Sequence, residues 1–307
     1  MKKEISRALS LTENQVALLY SHSYLNILNI LADDLASLAG SFGNADAFSG
    51  SRRMAGRIKN AFDDTSFPLL SSHHIQDLHN LVEQEIASEI RDFADAEKNR
   101  DAIDETINNI RSLFRILHNL VRMHTHQKIA PEMWKSLKIS DIKSNLEEML
   151  RAIENNSRGR YRIVGNQADQ KENDYLFTFT VESPDKETIV MPTILQDCLR
   201  DLIANSRKYT KPGGQISALL ANDGEKLVLE VRDNGIGIPE QDIDMVVHFG
   251  YRGKNAGDRT RGGGFGLTKA CYVTQKMNGR MWIDSLPGKG TAITLEIPVP
   301  AETQEDV

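Results

Sequence analysis

The stretch Asp233-Asn234-Gly235-Ile236-Gly237-Ile238-Pro239 constrains this chain more than any other. It follows Lys226 to Arg232, where Leu227, Leu229 and Val231 alternate with other residues at the period of a strand. Asp233 continues that parity, so the strand delivers a carboxylate to its own core side. Asn234, Gly235 and Gly237 then turn the chain sharply and bring bare backbone close to whatever sits there. A carboxylate at a strand end beside exposed backbone suits a heterocycle that offers an amine. Adenine has one, whereas guanine presents an oxygen that a carboxylate repels.

The residues around this strand read as an α/β unit. Ile139 to Ile153 is amphipathic, and Arg160–Val164 and Tyr175–Val181 read as strands joined by a hairpin over Gly165 to Asp174. Thr193 to Tyr209 reads as a helix with Leu195, Leu199, Leu202, Ile203 and Ser206 inward. On another face Asp201, Asn205 and Lys208 form a row at i, i+4 and i+7. Such a row suits Mg²⁺ and phosphate. Asn205 offers an oxygen to the metal, Lys208 a cation to phosphate, and Asp201 a base or a water-mediated metal contact. A plain charged solvent face is the alternative.

Glu240 to Val247 reads as a short helix. Phe249 to Gly266 then carries seven glycines in eighteen residues, with Arg252, Lys254, Arg259 and Arg261. Glycine N–H groups beside cations suit phosphate, although such loops also serve as linkers. The segment ends Gly262-Gly263-Gly264-Phe265-Gly266-Leu267 and opens a helix to about Met277, whose N-terminus favours anions. A strand over Gly279–Ser285, a turn at Pro287-Gly288-Lys289-Gly290 and a strand over Thr291–Pro298 close the unit. Thr291 has the parity of Asp233 and adds a hydroxyl to the same site. Residues 301–307 form a polar tail.

The first 130 residues read as a helical bundle that dimerises, with a self-contained monomeric bundle as the alternative. Residues 12–39 form a helix with Thr12 as N-cap and Gln15 three residues on. Its seam is Leu18, Leu25, Leu28, Ala32, Leu35 and Ala39, widened by Ile27, Ile30, Leu31 and Leu38. Residues 40–51 read as a loop and Arg52–Lys59 as a short basic helix. Residues 71–97 turn Ile75, Leu78, Val82, Ile86, Ile90 and Phe93 inward. Ile103, Ile107, Ile110, Phe114, Leu117, Val121 and His124 alternate spacings of four and three, as in a bundle or coiled coil. Seven of the eight histidines lie in this half. His73, His74 and His79, or His118, His124 and His126, have no cysteine nearby and make a poor metal set. His22 sits on the rim of the first seam with Asn26 one turn along, so its imidazole is a candidate nucleophile and Asn26 a holder of water or phosphate oxygen.

A length of 307 residues allows one large or two ordinary domains, and a net charge of −6 supplies no basic field for nucleic acid. Cys198 and Cys271 stand outside any CxxC and fit a reducing compartment. Met1-Lys2-Lys3-Glu4 does not open a signal peptide, and no run of about 18 apolar residues spans a membrane. A cytoplasmic location is the expectation.

The order of motifs resembles the ATP-binding domain of sensor histidine kinases, of the superfamily shared with gyrase, Hsp90 and MutL. Asp201 to Thr210 resembles the N box, Asp233-Asn234-Gly235-Ile236-Gly237 the G1 box, and Phe249-Gly250-Tyr251 the F box. Gly262 to Leu267 resembles the G2 box, and Gly288-Lys289-Gly290-Thr291 the last glycine motif. The resemblance implies an α+β protein, a Bergerat α/β sandwich over 137–300 following the helical bundle of 1–130. It implies ATP and Mg²⁺ as ligands, Asn205 on the metal and Asp233 on the adenine amine. Lys208, Tyr209, Gly235, Gly237, Arg252, Gly262, Gly264, Gly266, Leu267 and Thr291 complete the nucleotide site, with 249–266 as its lid.

His22-Ser23-Tyr24-Leu25-Asn26-Ile27-Leu28 resembles the phosphoacceptor motif H-x-[FY]-x-N-x-L of citrate-sensor-type kinases. Ser23 stands where that motif usually has an acid, and the helix of His22 lies more than 60 residues before the heptad helix. His73 or His74 is therefore an alternative acceptor. The implied function is autophosphorylation on histidine and phosphotransfer to a response-regulator receiver domain by a homodimer, with a separate sensor protein as input. The alternative is an ATP-binding pseudokinase or partner-switching protein.

Overall fold

In the computed structural model, which describes residues 2–61, 72–92, 100–126, 133–155, 157, 159–253 and 264–301, the chain forms two units. One is Met1–Tyr20 with Ala130–Val307, the other Ser21–Ile129. The first twenty residues thus leave the helical region expected over 1–130. The reason is β1 (Lys2–Glu4), which pairs antiparallel with β8 (Arg280–Leu286) and covers that sheet edge. Ile5 is buried in the core behind it, and Gln275 holds the backbone of Arg7 and Leu9.

The sheet runs β1-β8-β9-β7-β6-β4-β3, where β9 is Gly290–Pro298, β7 Lys226–Asp233, β6 Gln215–Asn222, β4 Tyr175–Glu182 and β3 Ile163–Val164. Leu227, Leu229 and Val231 of β7 are buried in one core with α5 (Ile139–Asn155), α6 (Ile194–Tyr209) and α7 (Gly266–Lys276). The intervening residues of β7 stay at least partly exposed, so helices cover one sheet face only. β2 (Trp134–Lys138) and β5 (Thr188–Pro192) form a separate ribbon.

Two expectations fail in this unit. β3 and β4 are parallel, so Gly165 to Asp174 is not a hairpin. The chain returns instead through a 3-10 turn at Gln167–Asp169, and Asp174 ties the return by accepting from the Arg162 backbone and guanidinium and from Lys171 N. Glu240–Val247 is not an α-helix but a 3-10 turn at Glu240–Asp242 followed by tight turns. Ile243 N donates to Glu240 O, and Met245 N to Asp242 O, three residues back.

The second unit is entered along α1 (Glu13–Ser41), whose start carries the expected capping box. Thr12 N donates to Gln15 Oε1 at 3.0 Å and Gln15 N to Thr12 Oγ1 at 3.3 Å. The seam is rotated from the expected one. Tyr24, Leu28, Leu31, Leu35, Leu38 and Phe42 are buried at alternating spacings of four and three, whereas Leu25 and Ala32 are half-buried. Leu31 and Leu38, placed at the margin by their spacing, are central. They pack with α2 (Ser49–Ala61), α3 (Ser72–Asp92) and α4 (Arg100–His126). Ile103, Ile107, Ile110, Phe114 and Leu117 of the heptad pattern are buried within the chain itself, while Ile90 of α3 is exposed rather than inward. Burial of these seams therefore does not require a second copy. Phe93 lies outside the described residues, as do the side chains of Val121 and His124. α2 begins earlier than its basic stretch, because Glu85 of α3 accepts from Gly50 N, Ser51 N and Ser51 Oγ at the helix start.

Between α3 and α4, His79 Nδ1 and His118 Nε2 lie 3.2 Å apart, and the His79 ring stacks on Phe114. Glu83 faces His79 at 3.8 Å and is held by Arg111. Burial lowers the pKa of both imidazoles. The Arg111 charge adds to this at His79, where Glu83 opposes it, and the His79 charge adds to it at His118. Groups with depressed folded pKa values contribute stability above their unfolded pKa and lose it as pH falls through the folded one. The far-UV circular dichroism melt is expected to drop by roughly 3–5 °C between about pH 7.5 and about pH 5.5. His118→Gln, which keeps an acceptor but does not titrate, reduces that drop; an unchanged slope in this variant refutes the assignment.

Candidate nucleotide site

The site forms where β7 ends under the last turn of α6. Asp233 sits opposite Thr291 in the β7–β9 register, the juxtaposition their parities imply. Asp233 Oδ1 accepts from Gly235 N at 2.9 Å, and the Ser206 hydroxyl and Thr291 N–H also donate to this carboxylate. Its pKa is nevertheless raised, because burial outweighs these three donors. Ser206 and Ser285 are site residues that sequence reasoning did not assign. Ser285 Oγ accepts from Ile238 N at 2.8 Å, donates to Gly290 O at 3.0 Å and meets Thr291 Oγ1 at 2.9 Å. It sutures the Asp233 turn to the turn before β9. Ile236 N donates to Tyr209 O and Gly288 N to Ile236 O, completing the suture.

The glycines serve these close approaches. A Cβ on Gly235 would lie 2.5 Å from Tyr209 O, and one on Gly237, at φ +70°, would lie 2.2 Å from Leu286 O. Beside Gly235, Thr210 Oγ1 is buried without a hydrogen-bond partner among the described residues. A carboxylate that accepts and an orphaned hydroxyl in the same corner fit a heterocycle carrying an amine.

Along α6 the row Asp201, Asn205, Lys208 is half-buried rather than solvated. Burial lowers the Lys208 pKa, with Arg252 and Arg207 adding to it, so three cations gather at this helix end. Tyr209 is raised by burial, and the Lys208 ammonium sits 5.1 Å from its ring centre. Asn205 faces the first residue of α7, since a Cβ on Gly266 would lie 2.9 Å from Asn205 Nδ2 and 3.3 Å from Asp201 Cβ. An amide oxygen beside bare backbone and three cations fits a hard divalent ion carried by phosphates. Asp201 itself is engaged by Lys269 of α7, a residue the sequence reading passed over. The signal for it was a lysine in the first turn of α7, set between Thr268 and the small residues Ala270 and Cys271.

The two ends of the glycine-rich segment meet. The Phe249 and Phe265 rings meet tilted at 39° with centroids 4.7 Å apart, Thr268 Oγ1 donates to His248 O, and Tyr251 OH donates to Asp242. Gly264, at φ +72°, brings its Cα against Tyr251 O. Leu267 is half-buried in the first turn of α7. Gly262 lies outside the described residues, as does the rest of 254–263. His22 and Asn26 belong to α1, and their side chains lie outside the described residues. His73 is exposed and His74 half-buried in the first turn of α3. Among the described residues no helix is long and apolar enough to cross a membrane.

Residues 191–301 match the family described as Histidine kinase-, DNA gyrase B-, and HSP90-like ATPase. The stretch holds every assigned residue of the corner, the α6 row and the segment ends. Among curated relatives, 111 residues are 39% identical to Sensor histidine kinase WalK of Bacillus subtilis (strain 168), over 35% of this chain and 18% of that protein. A further match, 32% identical over 141 residues, is Aerobic respiration control sensor protein ArcB of Escherichia coli (strain K12), covering 45% of this chain and 18% of that one. The chain thus spans less than a fifth of either relative. Of solved structures, a mycobacterial sensor histidine kinase MprB is 22% identical, covering 54% of this chain and 97% of that chain with a TM-score of 0.38.

Proposed function

From a chain that carries an ATPase domain of the histidine kinase, DNA gyrase B and HSP90 type, resembling those of sensor histidine kinases, we infer a protein histidine kinase that phosphorylates itself on His22. The observation that carries this reading is the Asp233 corner joined to the α6 row. In this reading a half-buried carboxylate serves the adenine amine and two cations, Lys208 and Arg252, serve the phosphates.

Asp233, with Ser206 and Thr291 behind it, orients the adenine. Asn205 would hold Mg²⁺, which when bound would offset negative charge on the nucleotide phosphates. Lys208 and Arg252 hold those phosphates, with 249–266 as the expected lid, of which 254–263 lie outside the described residues. Transfer breaks the bond between the γ-phosphorus and its bridging oxygen and forms a bond from that phosphorus to a ring nitrogen of His22, with ADP leaving. Asn26 positions the attacking water of a separate phosphatase reaction, in which water takes the phosphoryl group and phosphate is released. Domains of 1–130 for dimerisation and phosphotransfer and 137–300 for ATP binding belong to this reading, with Met1–Tyr20 reassigned to the sheet unit. So do a cytoplasmic location, a homodimer, an upstream sensor protein and a receiver domain as phosphate acceptor. With the seams of α1 and α4 filled inside the chain, a dimer contact uses other residues.

Incubation with γ-labelled Mg-ATP tests this reading. Label that is acid-labile and base-stable, and absent from both His22→Ala and Asp233→Asn, is the expected result. Label that survives His22→Ala moves the acceptor to His73 or His74. An unlabelled protein that still binds ATP is the ATP-binding regulator instead.

A further inference from the structure

Lys269 is a fully buried cation of this domain that the proposed reaction does not use. Its side chain is 1% exposed, and its Nζ lies 2.5 Å from Oδ2 of Asp201, itself 10% exposed. The pair joins the first turn of α7 to α6. Gly266, three residues before Lys269, brings its bare Cα against both Asp201 and Asn205. Asp201, Asn205, Gly266 and Lys269 therefore share one place. The neighbouring Cys198 thiol senses both charges of the pair, and burial pushes it up to about 12, so it adds no charge of its own. One turn back on α6, Asp197 is engaged by Arg200.

This arrangement disagrees with Asp201 as a general base or a metal contact. Either role separates it from Lys269 and leaves an ammonium buried without its counter-ion, a costly state in low dielectric. A neutralised carboxylate leaves a lone divalent cation little to bind except the Asn205 amide, and hard cations need charged oxygens. Nucleotide phosphates bring those charges. We propose that Lys269 is a positioning residue of the nucleotide site: its ammonium holds and neutralises Asp201, so that a divalent cation reaches Asn205 only together with a nucleotide. The inference rests on the reading of this domain as a site for metal–nucleotide.

The test uses Mn²⁺ alone, followed by electron paramagnetic resonance on the nucleotide-free full chain, and Mn²⁺–ADP binding followed by calorimetry. The wild-type chain takes up Mn²⁺ only weakly without ADP. Lys269→Met releases the Asp201 carboxylate and gains Mn²⁺ uptake at least about tenfold tighter than wild type. Asp201→Asn/Lys269→Met abolishes that gain. Asp201→Asn alone leaves the ammonium unmatched about one helical turn from Asn205 and weakens Mn²⁺–ADP binding about tenfold. The double variant restores that binding to within about threefold.

Unchanged Mn²⁺ uptake in Lys269→Met overturns the proposal. If that variant does not fold, equal Mn²⁺–ADP affinity in Asp201→Asn and the double variant overturns it. Asp233→Asn separates the two levels. If it binds ADP like wild type, the nucleotide-site reading itself fails. If it loses ADP while the Asp201 and Lys269 variants behave alike, only this inference fails.

Discussion

Asp233→Asn is expected to weaken ATP binding at least about a hundredfold, a loss of about 3 kcal/mol. The substitution is nearly isosteric, so the effect comes from hydrogen-bond polarity. In the folded chain three donors converge on this carboxylate: Gly235 N–H, the Ser206 hydroxyl and Thr291 N–H. An amide must place its NH₂ toward one of those donors or toward the adenine amine, and both choices set donor against donor.

The same group has the opposite effect on the empty protein. Burial raises the Asp233 pKa, so its contribution to folding stability is fully present below the unfolded value and is lost as pH rises through the folded one. Protonation therefore favours the fold while removing the acceptor that adenine needs. Asp233→Asn is expected to melt no lower than wild type at neutral pH, while calorimetry finds ATP binding weakened by that factor. A variant that both unfolds and loses ATP would mean that the carboxylate is structural.

Gly290→Ala is expected to destabilise the sheet unit by about 4 kcal/mol or to prevent its folding. At φ +104° the backbone is one that L side chains rarely adopt, and an added Cβ would lie 1.9 Å from Asp233 O and 2.7 Å from Asn234 Cα. Those obstacles are backbone atoms of β7 and its turn, so relief requires the β7–β9 pairing to move. Gly288, two residues earlier at φ +75°, has nothing within 4 Å of its added Cβ. Gly288→Ala carries the conformational cost alone, about 1 kcal/mol. Both tryptophans, Trp134 and Trp282, lie in this unit. Urea denaturation followed by tryptophan fluorescence thus reads the two variants without interference from the helices. Similar midpoints for both would refute the close-approach argument.

Much of this protein was legible because short-range rules governed it. Alternation in Leu227, Leu229 and Val231 located β7 and the side to which Asp233 belongs. Thr12 and Gln15 marked the start of α1, and the four-three spacing of α4 identified five of its buried residues as far as Leu117 but missed Leu113. The α6 row could be read as a candidate ligand face because helical spacing alone puts Asp201, Asn205 and Lys208 together.

What failed depended on partners distant in sequence. The direction of β3 relative to β4 is set by pairing across the sheet and by Asp174 reaching back to Arg162, neither of which has a local pattern. The first strand is only Lys2–Glu4, and what makes it a strand is the open edge of β8 some 280 residues later. Asp201 carried the same letter whether free or paired, and only the packing of α7 on α6 brought Lys269 to it.

By itself the sequence determined the local conformations, the parity of Asp233 and Thr291, and the order of motifs around one strand. These follow from side-chain period and backbone sterics, which act over a few residues. Only the tertiary structure decided that Lys2–Glu4 pairs at the sheet edge, that the seams of α1 and, as far as Leu117, of α4 are filled within one chain, and that Asp201 pairs with Lys269. Those outcomes depend on which surfaces exclude water together. Burial and Coulomb energy are properties of neighbours in space, and the sequence separates those neighbours by up to hundreds of residues.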